Sequence, residues 1–151
     1  MMAAVADWLS FWNKTRKQKE AVLHGEVVEQ IYVPYGEGRV SVGDSIYCVG
    51  IEAGKLLLIT RVEVAKLSAD HDPDHRESVV IDGAKKNTTK ADFKRKLPAS
   101  TVKKLKYRRR DDSEHNVKFK AEGGGVEPGQ FQGPASIREL SQGAVHLESL
   151  L

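Results

Sequence analysis

Four consecutive apolar residues, Leu56-Leu57-Leu58-Ile59, sit inside a segment that otherwise reads as β-strand, and they constrain the fold more than any other feature. A strand sends successive side chains to opposite faces, so an unbroken apolar run has to be covered on both. Arg61 and Glu63 restore alternation near the strand's end. Upstream, Val40 and Val42 precede the turn dipeptide Gly43-Asp44, Ser45 to Val49 forms the next strand, and Gly50 to Gly54 the next turn. Residues 39–64 therefore read as an antiparallel meander, and a barrel with a covered wall accounts for both patterns. A chain of 151 residues, 40% of them apolar, can supply that core within one domain spanning 1–151.

The flanking segments extend the β reading. Val5, Trp8, Leu9 and Trp12 follow helical spacing, which favours a helix; the competing reading takes Trp8 to Asn13 as a short strand with Trp8, Ser10 and Trp12 on one face and Leu9 and Phe11 on the other. Periodicity leaves both open. A β-branched run from Glu26 to Val33 ends at Pro34 and the turn Tyr35-Gly36-Glu37-Gly38. Ser78 to Ile81 and Lys103 to Arg108 are further strands, the latter forming a hairpin with Asn116 to Lys120 across Asp111-Asp112-Ser113. Glycines and prolines over 122–134 read as a flexible surface loop that connects rather than supports. Ser136 and Glu139 have capping-box spacing, and a helix continuing past Ser141 would place Ala144, Leu147, Leu150 and Leu151 on one face.

Charge is distributed unevenly. Lys85 to Arg110 carries twelve Lys or Arg against one acid, Asp92, a balance of +11, whereas the rest of the chain holds twelve bases and twenty acids, a balance of −8. A positive ribbon on an acidic body points to a polyanionic partner, DNA or RNA, because attraction to phosphates supplies most non-specific nucleic-acid affinity. A basic segment kept only for solubility is the plainer alternative. If Lys103 to Arg108 is a strand, Lys104, Lys106 and Arg108 share one face, with Leu105 and Tyr107 anchoring the other. Lys103, Lys104, Lys106, Arg108, Arg109 and Arg110 are the expected phosphate contacts, which position a strand without reading its sequence.

Chemistry beyond binding finds little support. Asp70-His71-Asp72-Pro73-Asp74-His75 concentrates metal-ligand types, but a proline-centred loop gives them no scaffold and reads as a solvated turn. The single cysteine, Cys48, excludes an intramolecular disulfide, fits a reducing, cytoplasmic compartment and lies in an apolar strand, where core packing outweighs nucleophilic chemistry. No phosphate-binding glycine loop is present, and the longest apolar stretches fall far short of the roughly 20 residues of a membrane span. The expectation is a non-enzymatic protein with no cofactor, no metal and no membrane partner.

The order Trp8-Leu9-Ser10-Phe11-Trp12-Asn13, a basic stretch, Val42-Gly43-Asp44-Ser45-Ile46-Tyr47 and the strand from Gly54 to Val64 resembles the opening half of PUA-like domains, among them the EVE and YTH-like members. The match covers residues 8 to 67; the glycine-rich edge usual near the pocket is missing, and Gly123 to Pro134 has no counterpart. The resemblance implies an α+β fold, a small PUA-like β-barrel flanked by short helices, that takes a flipped and often modified base into an aromatic pocket. Such a pocket replaces lost stacking, worth about 1–3 kcal/mol per base. Trp8 and Trp12 would form its walls, Asn13 would read the base edge and Tyr35 would close the cage. The two indoles read equally well as core anchors. The alternative function is a protein-interaction module whose basic segment meets an acidic partner; a third is a small enzyme using His71 and His75.

Overall fold

The computed structural model describes residues 5–12, 30–34, 40–69, 78–83, 92, 94–108, 113–118, 125–126 and 137–151. Among the described residues, eight strands and two short helices follow in chain order: β1 (Asp7–Phe11), β2 (Gln30–Pro34), β3 (Ser45–Glu52), β4 (Lys55–Ala69), β5 (Ser78–Gly83), α1 (Ala99–Val102), β6 (Lys106–Arg108), β7 (Glu114–Asn116), β8 (Ile137–Gln142) and α2 (Ala144–Glu148). The sheet order is β2-β5-β4-β3-β1-β8-β6-β7, with β1 parallel to β3 and the other pairs antiparallel. Its outer strands, β2 and β7, do not pair with each other, so the sheet is open rather than a closed barrel.

The apolar run is buried as its pattern requires. β3 and β4 are joined by Ala53-Gly54, both at positive φ (51° and 77°), the backbone of a two-residue hairpin turn. The register then slips: Val49 faces Leu58 and Cys48 faces Thr60, leaving Ile59 as the extra residue of a bulge. Leu57 and Ile59 join Trp8, Trp12, Ile46, Cys48, Val62 and Ile137 in one core cluster, while Leu56 and Leu58 join Leu9, Tyr47, Val49, Leu105, Tyr107 and Leu147 in another. One sheet thus has an apolar core on each face. This explains the two-sided burial without barrel closure.

β4 also changes neighbours along its fifteen residues, pairing with β3 up to Glu63 and with β5 from Val64 onward. Beside its first half, on the edge away from β3, run Asp92 and the segment 94–97. The Leu58 amide donates to the Arg95 carbonyl (2.9 Å), the Leu97 amide to Leu56 (2.8 Å), and Leu57 and Lys96 form a bridge. Laid flat, the five inter-strand steps from this segment to β6 would span about 24 Å. The residues linking Leu97 to Lys106, with their helical turn, reach about 23 Å at full stretch. They instead fold inward to bury Val102 and Leu105, so the sheet coils around the second cluster.

Several expectations are corrected. The N-terminal alternative resolves to a strand: Trp8 and Trp12 share one cluster, Leu9 and Phe11 the other, and Val5 is 67% exposed instead of joining a helical stripe. Residues Ile137–Gln142 form a strand rather than the start of a helix, because β8 sits between β1 and β6 and both neighbours take its backbone groups. The terminal helix begins only after Gly143, whose φ of 102° and lack of space, with an added Cβ 2.6 Å from Leu105 Cδ2, demand glycine. Ala144, Leu147 and Leu151 pack inward, while Leu150 is exposed. β6 starts at Lys106 rather than Lys103, because α1 and the turn after it take up residues 99–104; β6 does pair in a hairpin, but its partner β7 is Glu114–Asn116, with Val117 and Lys118 outside the strand expected to run from Asn116 to Lys120. Most of 122–134 lies outside the described residues, yet Val126 is buried, its amide donating to the Gly54 carbonyl (2.7 Å), so this point supports as well as connects. Asp70 to His75 also lies outside them.

Candidate polyanion-binding surface

Residues 94–108 are held by alternate burial. Leu97, Val102, Leu105 and Tyr107 enter the core, and Lys94, Lys96, Lys103 and Lys104 are left exposed. The placement has local causes. Extended pairing against β4 sends Lys96 and Leu97 to opposite sides, Pro98 starts the helical turn, and that turn directs Val102 inward and leaves Lys103 and Lys104 outside. Arg95 is tied down, its guanidinium donating to the Leu58 carbonyl (3.2 Å) and lying 3.9 Å from Asp92.

The far end of the segment is electrostatically different. Arg108 stands opposite Glu114 of β7 and Glu139 of β8. Its Nη2 lies 3.2 Å from Glu114 Oε1 and its Nε 3.2 Å from Glu139 Oε2, so one cation is bracketed by two carboxylates on neighbouring strands. Lys106 is half-buried, and its carbonyl accepts from the Ser141 hydroxyl (3.2 Å). Of the six expected phosphate contacts, Lys103 and Lys104 are exposed, Lys106 is partly covered and Arg108 is paired; Arg109 and Arg110 lie outside the described residues. Lys94 and Lys96 were not singled out from the sequence. The signal for them was the alternation Lys94-Arg95-Lys96-Leu97 ending at Pro98.

The expected aromatic pocket is not formed by the two indoles. Trp12 is fully buried and Trp8 is 4% exposed, both within the first core cluster. The Trp8 indole N–H donates to Asp44 Oδ2 (2.9 Å), and the same carboxylate accepts the amides of Ser41 (2.8 Å) and Ala6 (2.9 Å). Large aromatic rings on a strand facing the core are buried for packing, and neither ring presents a face to solvent here. Asn13 and Tyr35 lie outside the described residues.

A second polar group, which the sequence did not reveal, lies on the opposite face. Arg61 pairs with Glu148 of α2, and the buried Tyr47 hydroxyl donates to the same carboxylate. Burial first, then the charges of Glu148 and Asp7, holds the Tyr47 hydroxyl protonated far above the ordinary phenol range. Burial likewise pushes the Asp7 carboxyl above its ordinary value of 3.8, with Glu148 and Asp44 adding like charge and Arg61 opposing them. Asp7 also borders a cavity of about 540 Å³ between Val5 to Asp7 on one side and Arg108 and Glu139 to Ser141 on the other. Among the described residues, no aromatic side chain lines this cavity.

No helix among the described residues is long and apolar enough to cross a membrane. Compared with protein-family models, curated proteins and solved structures, the chain matches none.

Proposed function

We propose that the protein is a nucleic-acid-binding module that grips a phosphate backbone through Lys94, Lys96, Lys103 and Lys104. The observation carrying this reading is that these four lysines project from a segment anchored in the core by Leu97 and Val102 between them and by Leu105 directly after them. Anchored cations lose less freedom on binding than cations on a loose tail. Contacts of this kind fix position and supply affinity, and they do not read sequence. A flipped, modified base, as the PUA-like resemblance implies, would have to be received by aromatic side chains other than Trp8 and Trp12.

The test is oligonucleotide binding by fluorescence anisotropy across salt, with duplex and single-stranded probes, each with and without base methylation. Four phosphate contacts give a slope of log K against log salt of about −3.6 on duplex and about −2.8 on single strands. On duplex, affinity then falls about 150-fold between 50 and 200 mM salt. Replacing Lys94 and Lys96 together with glutamine reduces the duplex slope by about 1.8. Failure of every probe to bind at low salt would refute the reading, and retained binding to an acidic polypeptide in that case would move the assignment to a protein-interaction module.

A further inference from the structure

Arg108 opens a run of three arginines, yet it does not stand free as the lysines upstream do. The strand register places a carboxylate directly across from it on each side, Glu114 in β7 and Glu139 in β8, and both reach its guanidinium at 3.2 Å. A phosphate approaching Arg108 would meet two negative charges around one positive one. We infer that Glu114 and Glu139 mask Arg108 and thereby withhold it from the polyanion contact and lower how tightly the surface binds. This inference rests on the reading of the lysine segment as a phosphate grip.

The arrangement has a consistent physical logic. A guanidinium is the strongest phosphate ligand among side chains, because its fork of donors matches two oxygens at once. Left uncovered beside Lys103, Lys104 and Lys106, it would extend the basic strip onto the β6–β7 hairpin. Bracketed by two carboxylates, it is occupied by groups of the same geometry, and the three side chains together carry a net negative charge. Each of the three is about one-third exposed, so the ladder lies at the surface, where it meets the same solvent and ions as the lysines. Glu139 also borders the cavity beside Asp7, so two carboxylates share that lining with Arg108.

Removing the mask makes a gain of function the expected result. In Glu114→Gln/Glu139→Gln, the two opposing charges 3.2 Å from Arg108 are removed without loss of side-chain volume, and the duplex salt slope steepens by about 0.9, one additional phosphate contact. Affinity at low salt rises with it. In the triple variant that adds Arg108→Gln, the slope returns to the wild-type value, although the triple still carries one positive charge more than the wild type. That comparison separates a direct contact from a general change in net charge. Exposed pairs of this kind add little to folding, and thermal melts of all three proteins check that the comparison is between folded molecules. A double variant whose slope equals the wild type's, or a triple that keeps the steeper slope, overturns the mask while leaving the lysine grip standing. A wild type that binds no oligonucleotide removes both.

Discussion

Replacing Asp44 with alanine tests the claim that Trp8 belongs to the frame of the fold. The Asp44 carboxylate is 3% exposed and accepts three N–H groups from two separate segments: the Ala6 amide and the Trp8 indole before and within β1, and the Ser41 amide three residues upstream. Its own backbone joins the same knot, the Val64 amide donating to the Asp44 carbonyl (2.9 Å). A hydrogen bond to a charged acceptor contributes about 1.5–3 kcal/mol, and a buried donor left without an acceptor costs about 1–3 kcal/mol. Ser41 is exposed and Ala6 half-buried, so water can replace the carboxylate at those two amides, whereas the indole N–H is enclosed. The dominant cost is therefore one stranded donor plus two weakened bonds, about 3 kcal/mol in all. In a domain of this size that lowers the thermal midpoint by about 6–12 °C. Asp44→Asn, with its oxygen kept toward Trp8 and Ser41, should lose about 1 kcal/mol, since only the Ala6 bond is forfeited. Urea denaturation monitored by tryptophan fluorescence measures both. A loss under about 1 kcal/mol for the alanine variant would refute the anchoring role and return Trp8 to consideration as an adaptable pocket wall.

Asp7→Asn should stabilise the protein at neutral pH. Because the folded-state pKa of Asp7 lies above its ordinary value of 3.8, the folded state holds that proton to higher pH than the unfolded chain does. Its contribution to stability is thus greatest below 3.8 and is lost as pH rises through the folded value; urea midpoints over pH 3 to 7 should show this dependence in the wild type and its absence in the variant. Ala53→Gly should raise stability by about 0.5–1 kcal/mol, since a turn position at φ 51° strains an alanine and suits a glycine, less the added freedom of the unfolded chain. An unchanged thermal midpoint would count against that strain. Gly143→Ala should cost at least about 1–3 kcal/mol, because the new methyl would lie 2.8 Å from the Lys104 carbonyl as well as against Leu105, at a φ that alanine avoids; a thermal melt within a degree of wild type would show that the β8–α2 junction gives way easily.

What the sequence made legible follows from how local each signal is. Of the meander read over 39–64, the β3–β4 hairpin and the two-sided burial of Leu56 to Ile59 were legible because they depend on near neighbours, whereas Val40 to Val42 lead into the turn at Gly43 without forming a strand. The alternation of Leu105 and Tyr107 against Lys104 and Lys106 was visible for the same reason. β8 was not. Ile137-Arg138-Glu139-Leu140-Ser141-Gln142 carries a helix-start spacing in its own sequence, and it becomes a strand only because β1 and β6 flank it, a fact fixed by residues about 30 and 130 positions away. The open sheet escaped detection similarly: two covered faces are equally consistent with a closed barrel and with a coiled sheet that has a core on each side.

For the binding surface, the limit is that sequence counts charges while structure pairs them. The balance of +11 over 85–110 treats Lys96 and Arg108 alike. In the folded chain Lys96 projects from an edge segment whose next residue is anchored in the core, whereas Arg108 lies between two acids drawn from a hairpin partner and from a strand 31 residues downstream. Neither acid belongs to the basic segment, so no window of sequence around Arg108 shows that its charge is already met. A patch deduced from composition is therefore an upper bound on the cations available to a ligand. The reduction falls hardest where basic residues lie in the interior of a sheet, because each then has two strands from which an opposing carboxylate can come.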